Sequence, residues 1–233
     1  MRRVFLFLLL LLSFALPGAT LAQDAWQQGR QAYDRGDFAT AARHFTAAVK
    51  AGNARAALSL GFMHDNGLGV ARDGALAQEL YIMAATTGGM AMARNNLAYL
   101  WARQNGLLEQ ALCLSAQTIE EEPDNAYYLD TYGFILLMKN EPALAGAYFH
   151  KAIRIIPDYA DALEHLGDVA SMTGKGDATG YWRRAASNPR DDRQQARIAA
   201  KLGGAKPPGD LNAHPPFKLR DPGLPSECGI PSV

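Results

Sequence analysis

One stretch limits what this chain can fold into more than any other. Residues 124–157 read DNAYYLDTYGFILLMKNEPALAGAYFHKAIRIIP. Gly133, Ala145 and Ala152 are small residues placed where two helices must cross closely. Phe149 is large enough to fill the gap between them, and Pro157 closes the unit, because proline cannot continue a helix. A single pair of helices cannot bury its own apolar face, so a unit of this kind needs neighbours stacked on both sides.

The positions themselves carry a resemblance. Counted from Ala126, Gly133, Ala145, Phe149, Ala152 and Pro157 fall on the eighth, twentieth, twenty-fourth, twenty-seventh and thirty-second places. Those are the small, Ala, aromatic, Ala and Pro places of the tetratricopeptide repeat (TPR), which the segment resembles. The resemblance implies an all-α fold, a right-handed α-solenoid of stacked helix–turn–helix repeats.

The theme recurs along the chain, in units of about 24–52, 53–88, 90–123, 124–157 and 158–188. In the first, Asp24 is expected to cap a helix bearing Trp26, Gly29, Ala32 and Tyr33. Gly36-Asp37 breaks it, and Ala41, Phe45 and Ala48 mark one face of a second helix. The second unit carries Gly67-Leu68-Gly69-Val70 in its turn and Asp73 before its second helix. With Leu60-Gly61, Met63, Ala77, Tyr81, Ala84-Ala85 and Gly88, it resembles a Sel1-like repeat, the longer relative of the TPR. Gly67-Leu68-Gly69 is set against a phosphate loop by the missing third glycine and the missing strand before it. In the third unit Ala98, Ala111 and Pro123 fit if the turn near Asn105-Gly106 holds one extra residue. Ser115 stands there at the aromatic place, so looser filling is expected. The fifth unit fits through Gly167, Gly174 and Trp182 if its second helix lacks one residue. Residues 190–203 read as a capping helix with a polar face to solvent, stopped by Gly203-Gly204.

The two ends differ in kind from this repeat array (23–203). Arg2 and Arg3 precede an apolar run from Val4 to Leu16 and the small-residue site Thr20-Leu21-Ala22, the order of a cleaved secretory signal peptide over 1–22. The run is about thirteen residues, against roughly 20 for a bilayer span. A periplasmic or secreted location follows, with membrane attachment only if the segment stays uncleaved. Cleavage changes 23 basic and 23 acidic residues to 21 and 23, no footprint for nucleic acid. Residues 204–233 hold seven of the twelve prolines and are expected to be a disordered tail. Cys113 and Cys228 allow one intramolecular disulfide in an oxidising compartment; a buried thiol with a free tail thiol, or an intermolecular bridge, are the alternatives.

Residue patterns for chemistry are sparse. The histidines (His44, His64, His150, His165, His214) show no metal spacing, and no G-x-S-x-G elbow is present. Glu120-Glu121-Glu122 reads as a solvated helix end. Arg183, Arg184, Arg190, Arg193 and Arg197 read as a solvated basic face. No catalytic residue, metal or cofactor is expected. The TPR resemblance implies instead that first-helix positions line a concave groove. Carried onto this chain, it gives Arg30, Tyr33, Asn95, Tyr99, Arg103, Tyr127, Asp130 and Phe134, with Trp26, Asp34, Leu137 and Met138 at neighbouring places. The Lys/Asn set with which some TPR modules hold a terminal carboxylate is not reproduced. The expected function is a non-enzymatic interaction module, an adaptor or assembly factor that binds a protein or peptide. The alternatives are a cell-envelope enzyme or wall-ligand binder of Sel1-like type, and a structural oligomer stacking end to end.

Overall fold

The structure is a computed structural model that describes residues 17–204, with side chains from Ala22 onward. The apolar run of the expected signal peptide, the proline-rich segment from 205, His214 and Cys228 lie outside the described residues.

Eleven helices and no strand are found among the described residues. They are α1 (Pro17–Asp34), α2 (Phe38–Lys50), α3 (Ala54–Asn66), α4 (Gly74–Gly88), α5 (Ala91–Arg103) and α6 (Leu108–Glu121), followed by α7 (Ala126–Met138), α8 (Pro142–Ile155), α9 (Ala160–Thr173), α10 (Ala178–Ala186) and α11 (Asp192–Leu202). Each helix packs on its sequence neighbour. In addition α3 meets α5, α5 meets α7 and α7 meets α9, so the odd-numbered helices from α3 to α9 form one continuous layer. This is an α-solenoid.

Short polar residues start most of the helices. The carboxylates of Asp37, Asp73, Asp177 and Asp191 accept backbone N–H groups of the following first turns, as do the side-chain oxygens of Asn53 and Asn125. Each such cap is worth about 1 kcal/mol. Asp24 is not one of them, because α1 already runs from Pro17 through Asp24 to Asp34.

The hairpins are locked at their crossings by a ring set on a glycine. A Cβ at Gly29 would lie 2.5 Å from Phe45, one at Gly133 2.7 Å from Phe149, one at Gly61 2.9 Å from Tyr81, and one at Gly167 2.3 Å from Trp182. The sequence separation inside these pairs is sixteen residues in the first and fourth units, twenty in the second and fifteen in the fifth. The third unit replaces the pair with Ala98 and Ser115, both fully buried, so two small residues close that crossing where the others use a small and a large one.

Turn geometry absorbs the differences in length. The long hairpin of the second unit caps α3 with Gly67 in the left-handed region and lays Gly69 on the start of α2, where a Cβ would sit 2.4 Å from the Phe38 carbonyl carbon. Between α5 and α6 the extra residue is taken up by Asn105 and Leu107, both at positive φ, and by a 3.2 Å bond from Gly106 N–H to the Trp101 carbonyl. The short second helix of the fifth unit is α10, nine residues long. Lys139, an outward charge by its sequence position, pairs with Glu109 on α6.

Two apolar clusters fill the stack. One runs from Ala32 to Leu114 and is joined by Ile135; the other spans Ala116 to Leu166. The far end is thinner, a cluster of Leu163, Ala185 and Ile198 with Trp182 and Tyr181 against it. What holds α11 is mostly not apolar contact.

Candidate partner-binding groove

The first helix of each hairpin contributes to the same face, but its two halves are built differently. From α5 to α11 most of the side chains on this face pair with one another, although the Asn95 side-chain oxygen and one Arg197 nitrogen are buried without a hydrogen-bond partner. Arg103 pairs with Asp65 of α3 and lies 5.0 Å over the Tyr99 ring. Tyr99 packs against Phe134 at 5.1 Å, and Phe134 against His165 at 5.1 Å. His165 Nδ1 lies 2.9 Å from a carboxylate oxygen of Asp130, whose other oxygen accepts from the Tyr159 hydroxyl at 3.4 Å. Asn95 is buried. Thus Tyr99, Arg103, Asp130 and Phe134 come together in one chain of contacts within the array. Tyr127 stands apart at the outer rim, 56% exposed, with its ring edge-on to Tyr159.

Burial shapes the titration of this region. It pushes the Tyr99 hydroxyl up to about 12 and raises the Tyr159 hydroxyl well above its ordinary value, with the Asp130 carboxylate adding to the latter. Burial alone would lower His165, but Asp130 beside it prevails and raises it above 6.5.

The end of the array is an ion-pair network. Asp161, Glu164 and Asp168 sit at i, i+3 and i+7 on α9, hence on one face. Arg190 donates to Asp161 at 2.9 Å, Arg197 to Glu164 at 3.0 Å, and Lys201 to both Glu164 and Asp168 at 2.7 Å. Gln194 bridges Asp161 and Glu164, each at 3.1 Å. Burial would raise the Glu164 carboxyl; the Arg197 hydrogen bond and the charges of Lys201 and Arg197 outweigh it and bring it to about 2. The basic side of α11 therefore faces inward. Arg197 is not part of a solvated patch; Arg190 is paired to Asp161 yet exposed, as are Arg183 and Arg184. The signal for this docking is present in the sequence, as an acidic row on α9 opposite Arg190, Arg197 and Lys201. The triplet Glu120-Glu121-Glu122 is exposed, with Glu121 paired to Arg94 and Glu122 accepting from Asn125 at 2.9 Å.

The α1–α5 half is open. A cavity of about 550 Å³ is lined by Trp26, Arg30, Tyr33 and Asp34 of α1, by Arg55, Leu58, Ser59 and Phe62 of α3, and by Met90, Met92 and Asn96 at α5. Phe62 is 41% and Met92 54% exposed, large apolar side chains left facing the opening. The guanidinium carbons of Arg30 and Arg55 lie 5.8 and 5.7 Å from the Trp26 ring centre. Arg30 and Tyr33, named from the sequence, belong to this cavity. Arg55, Leu58, Phe62, Met92 and Asn96 are additions, and most come from the second unit, whose groove places the sequence reading leaves out. The pattern Arg55-x-x-Leu58-x-x-x-Phe62, one helical face by spacing, is the signal that finds them.

Cys113 is buried on α6 and is disulfide-bonded. No helix among the described residues is long and apolar enough to cross a membrane.

No protein-family profile matches the chain, and no curated protein matches it by sequence. Solved structures do match. PilW, described as a widely conserved type IV pilus biogenesis factor, superposes with a TM-score of 0.63 at 16% identity, over 79% of this chain and 85% of that one. A thermophilic TPR protein of Thermus thermophilus gives 0.59 at 23% identity, over 78% and 98%. A Sel1 repeat protein from Oxalobacter formigenes gives 0.57 at 20% identity, over 84% of both chains. At these identities the likeness is one of fold, and it agrees with the glycine–aromatic crossings and the long second hairpin: the chain has the fold of the TPR and Sel1-like repeat solenoids.

Proposed function

We propose that this protein is an exported, non-catalytic interaction module that holds a segment of a partner protein in the groove of α1, α3 and α5. The observation that carries the reading is the contrast along one face. Towards α11 the concave side chains are largely taken up by one another, through Arg103–Asp65, Asp130–His165 and the α9–α11 network. The α1–α5 end instead leaves Phe62 and Met92 exposed beside Trp26 and Tyr33, around a cavity of ligand size. Exposed apolar surface gathered in a concavity is the usual mark of a binding site. Adaptor or assembly work in the envelope is in keeping with the resemblance to PilW, and export with the N-terminal sequence. The disulfide at Cys113, for which we propose Cys228 as the partner, fits an oxidising compartment.

The test is co-purification from an envelope extract with the wild-type chain and with Phe62→Ala/Met92→Ala. The double variant should fold normally, since both side chains are partly exposed, and should lose the captured partner. Retention of the same partner would refute the groove as the binding surface.

A further inference from the structure

The groove also carries a charge preference, and that preference names the kind of segment it takes. Arg30 and Arg55 both stand at the Trp26 ring. A guanidinium resting on an aromatic face is held in place while its in-plane N–H fork stays free for a carboxylate. Arg55 has no carboxylate partner among the described residues. Arg30 has only Asp34, 3.8 Å away with both side chains more than half exposed, a weak and readily exchanged pair. Arg55 is also the second residue of α3, so a cation occupies a first turn where the helix dipole favours an anion. Asp34 is the one acid among the lining residues, against two arginines. Leu58 and Phe62 supply an apolar wall along the same helix as Arg55, Met92 of α5 completes it, and methionine adapts to side chains of different shape.

We propose, resting on the groove reading above, that the α1–α5 groove takes an internal partner segment in which a large apolar side chain is flanked by Asp or Glu. The apolar side chain lies against Phe62, Leu58 and Met92, and the carboxylate takes the forks of Arg55 and Arg30. A basic segment is rejected by two like charges, and a neutral one leaves both forks without a partner. A free chain terminus is not required.

The test uses the full chain and an acetylated, amidated peptide of about ten residues bearing a Phe between Glu residues, with Gln and Lys versions as competitors, in titration calorimetry at low and high salt. The Glu peptide is expected to bind at least about tenfold more tightly than the Gln peptide, with the advantage shrinking at high salt. Arg55→Glu should abolish that preference and turn it towards the Lys peptide, while Arg154→Glu, an exposed charge on α8, should change nothing. Equal binding of all three peptides, or a Glu preference that survives Arg55→Glu, overturns the acidic assignment. So does a lack of binding by the wild type up to about 1 mM. Equal binding that is still lost in Phe62→Ala/Met92→Ala leaves the groove reading standing. Envelope-partner capture unaffected by that double variant removes both.

Discussion

The two ends of the concave layer use the same repeat positions for opposite purposes. At the α9–α11 end, Asp161, Glu164 and Asp168 meet Arg190, Gln194, Arg197 and Lys201, and little is left for a ligand. At the α1–α5 end, Trp26, Arg30, Arg55, Phe62 and Met92 line an opening that no helix among the described residues covers. A residue's place in the repeat sets the direction of its side chain. Whether it becomes structure or binding surface depends on what the next hairpin offers to meet it. In this chain a polar network terminates the stack, and an apolar–cationic surface remains available.

That contrast can be broken most severely at Glu164. Glu164→Ala leaves Arg197, Lys201 and Gln194 without their shared acceptor, and breaking such a buried arrangement costs about 3–5 kcal/mol. Urea unfolding with amide exchange should show α11 opening first, while peptide binding at the α1–α5 groove stays as in the wild type. Loss of binding in this variant would mean the two ends are coupled and the contrast is false. The second largest effect is expected in the groove itself. Phe62→Ala/Met92→Ala should weaken partner binding by about 2 kcal/mol or more, with a melting temperature close to the wild type.

A packing change in the middle tests the scaffold common to both ends. Gly133→Leu places new atoms against the Phe149 ring and should destabilise by about 1–3 kcal/mol, read as a lower urea midpoint. Acidity gives a finer test. The Glu164 carboxyl is held at about 2 against an ordinary 4.5, so its contribution is complete above the unfolded value and fades as pH falls towards 2. His165 is raised above 6.5, so its contribution is complete below that value and is lost as pH rises through the folded one. The α7–α11 end should therefore be most stable at about pH 5–6, with groove binding through arginine flat over the neutral range. The smallest effect is expected at Ser115→Ala. The buried Ser115 hydroxyl has no hydrogen-bond partner, so the change should be neutral or stabilising by up to about 1 kcal/mol in thermal unfolding.

Much of the fold is legible in the sequence because its determinants are local and periodic. Gly29 with Phe45, Gly133 with Phe149, and the Gly67–Gly69 turn followed by Asp73 each announce a hairpin from residues on that hairpin. The groove is harder to read. Arg103 finds Asp65 thirty-eight residues away and His165 finds Asp130 thirty-five away. Periodicity brings such residues to one face, but rotamers and helix spacing decide whether they meet each other or solvent. The inward turn of α11 is concealed for a similar reason: Arg197 and Lys201 look solvated until their spacing is set against the acids of α9. Asp24 misleads because its preference for a cap is overridden: α1 begins seven residues earlier, at Pro17.

The ring-on-glycine crossings have a consequence for how such a chain can change. Since four of the five joints are fixed by a flat side chain seated on bare backbone, the tip of the hairpin is free to gain or lose residues. The separation of twenty in the second unit, against sixteen in the first and fourth, shows that freedom in use. Insertions at the tips are thus the natural route by which the molecule acquires new loops at its edge.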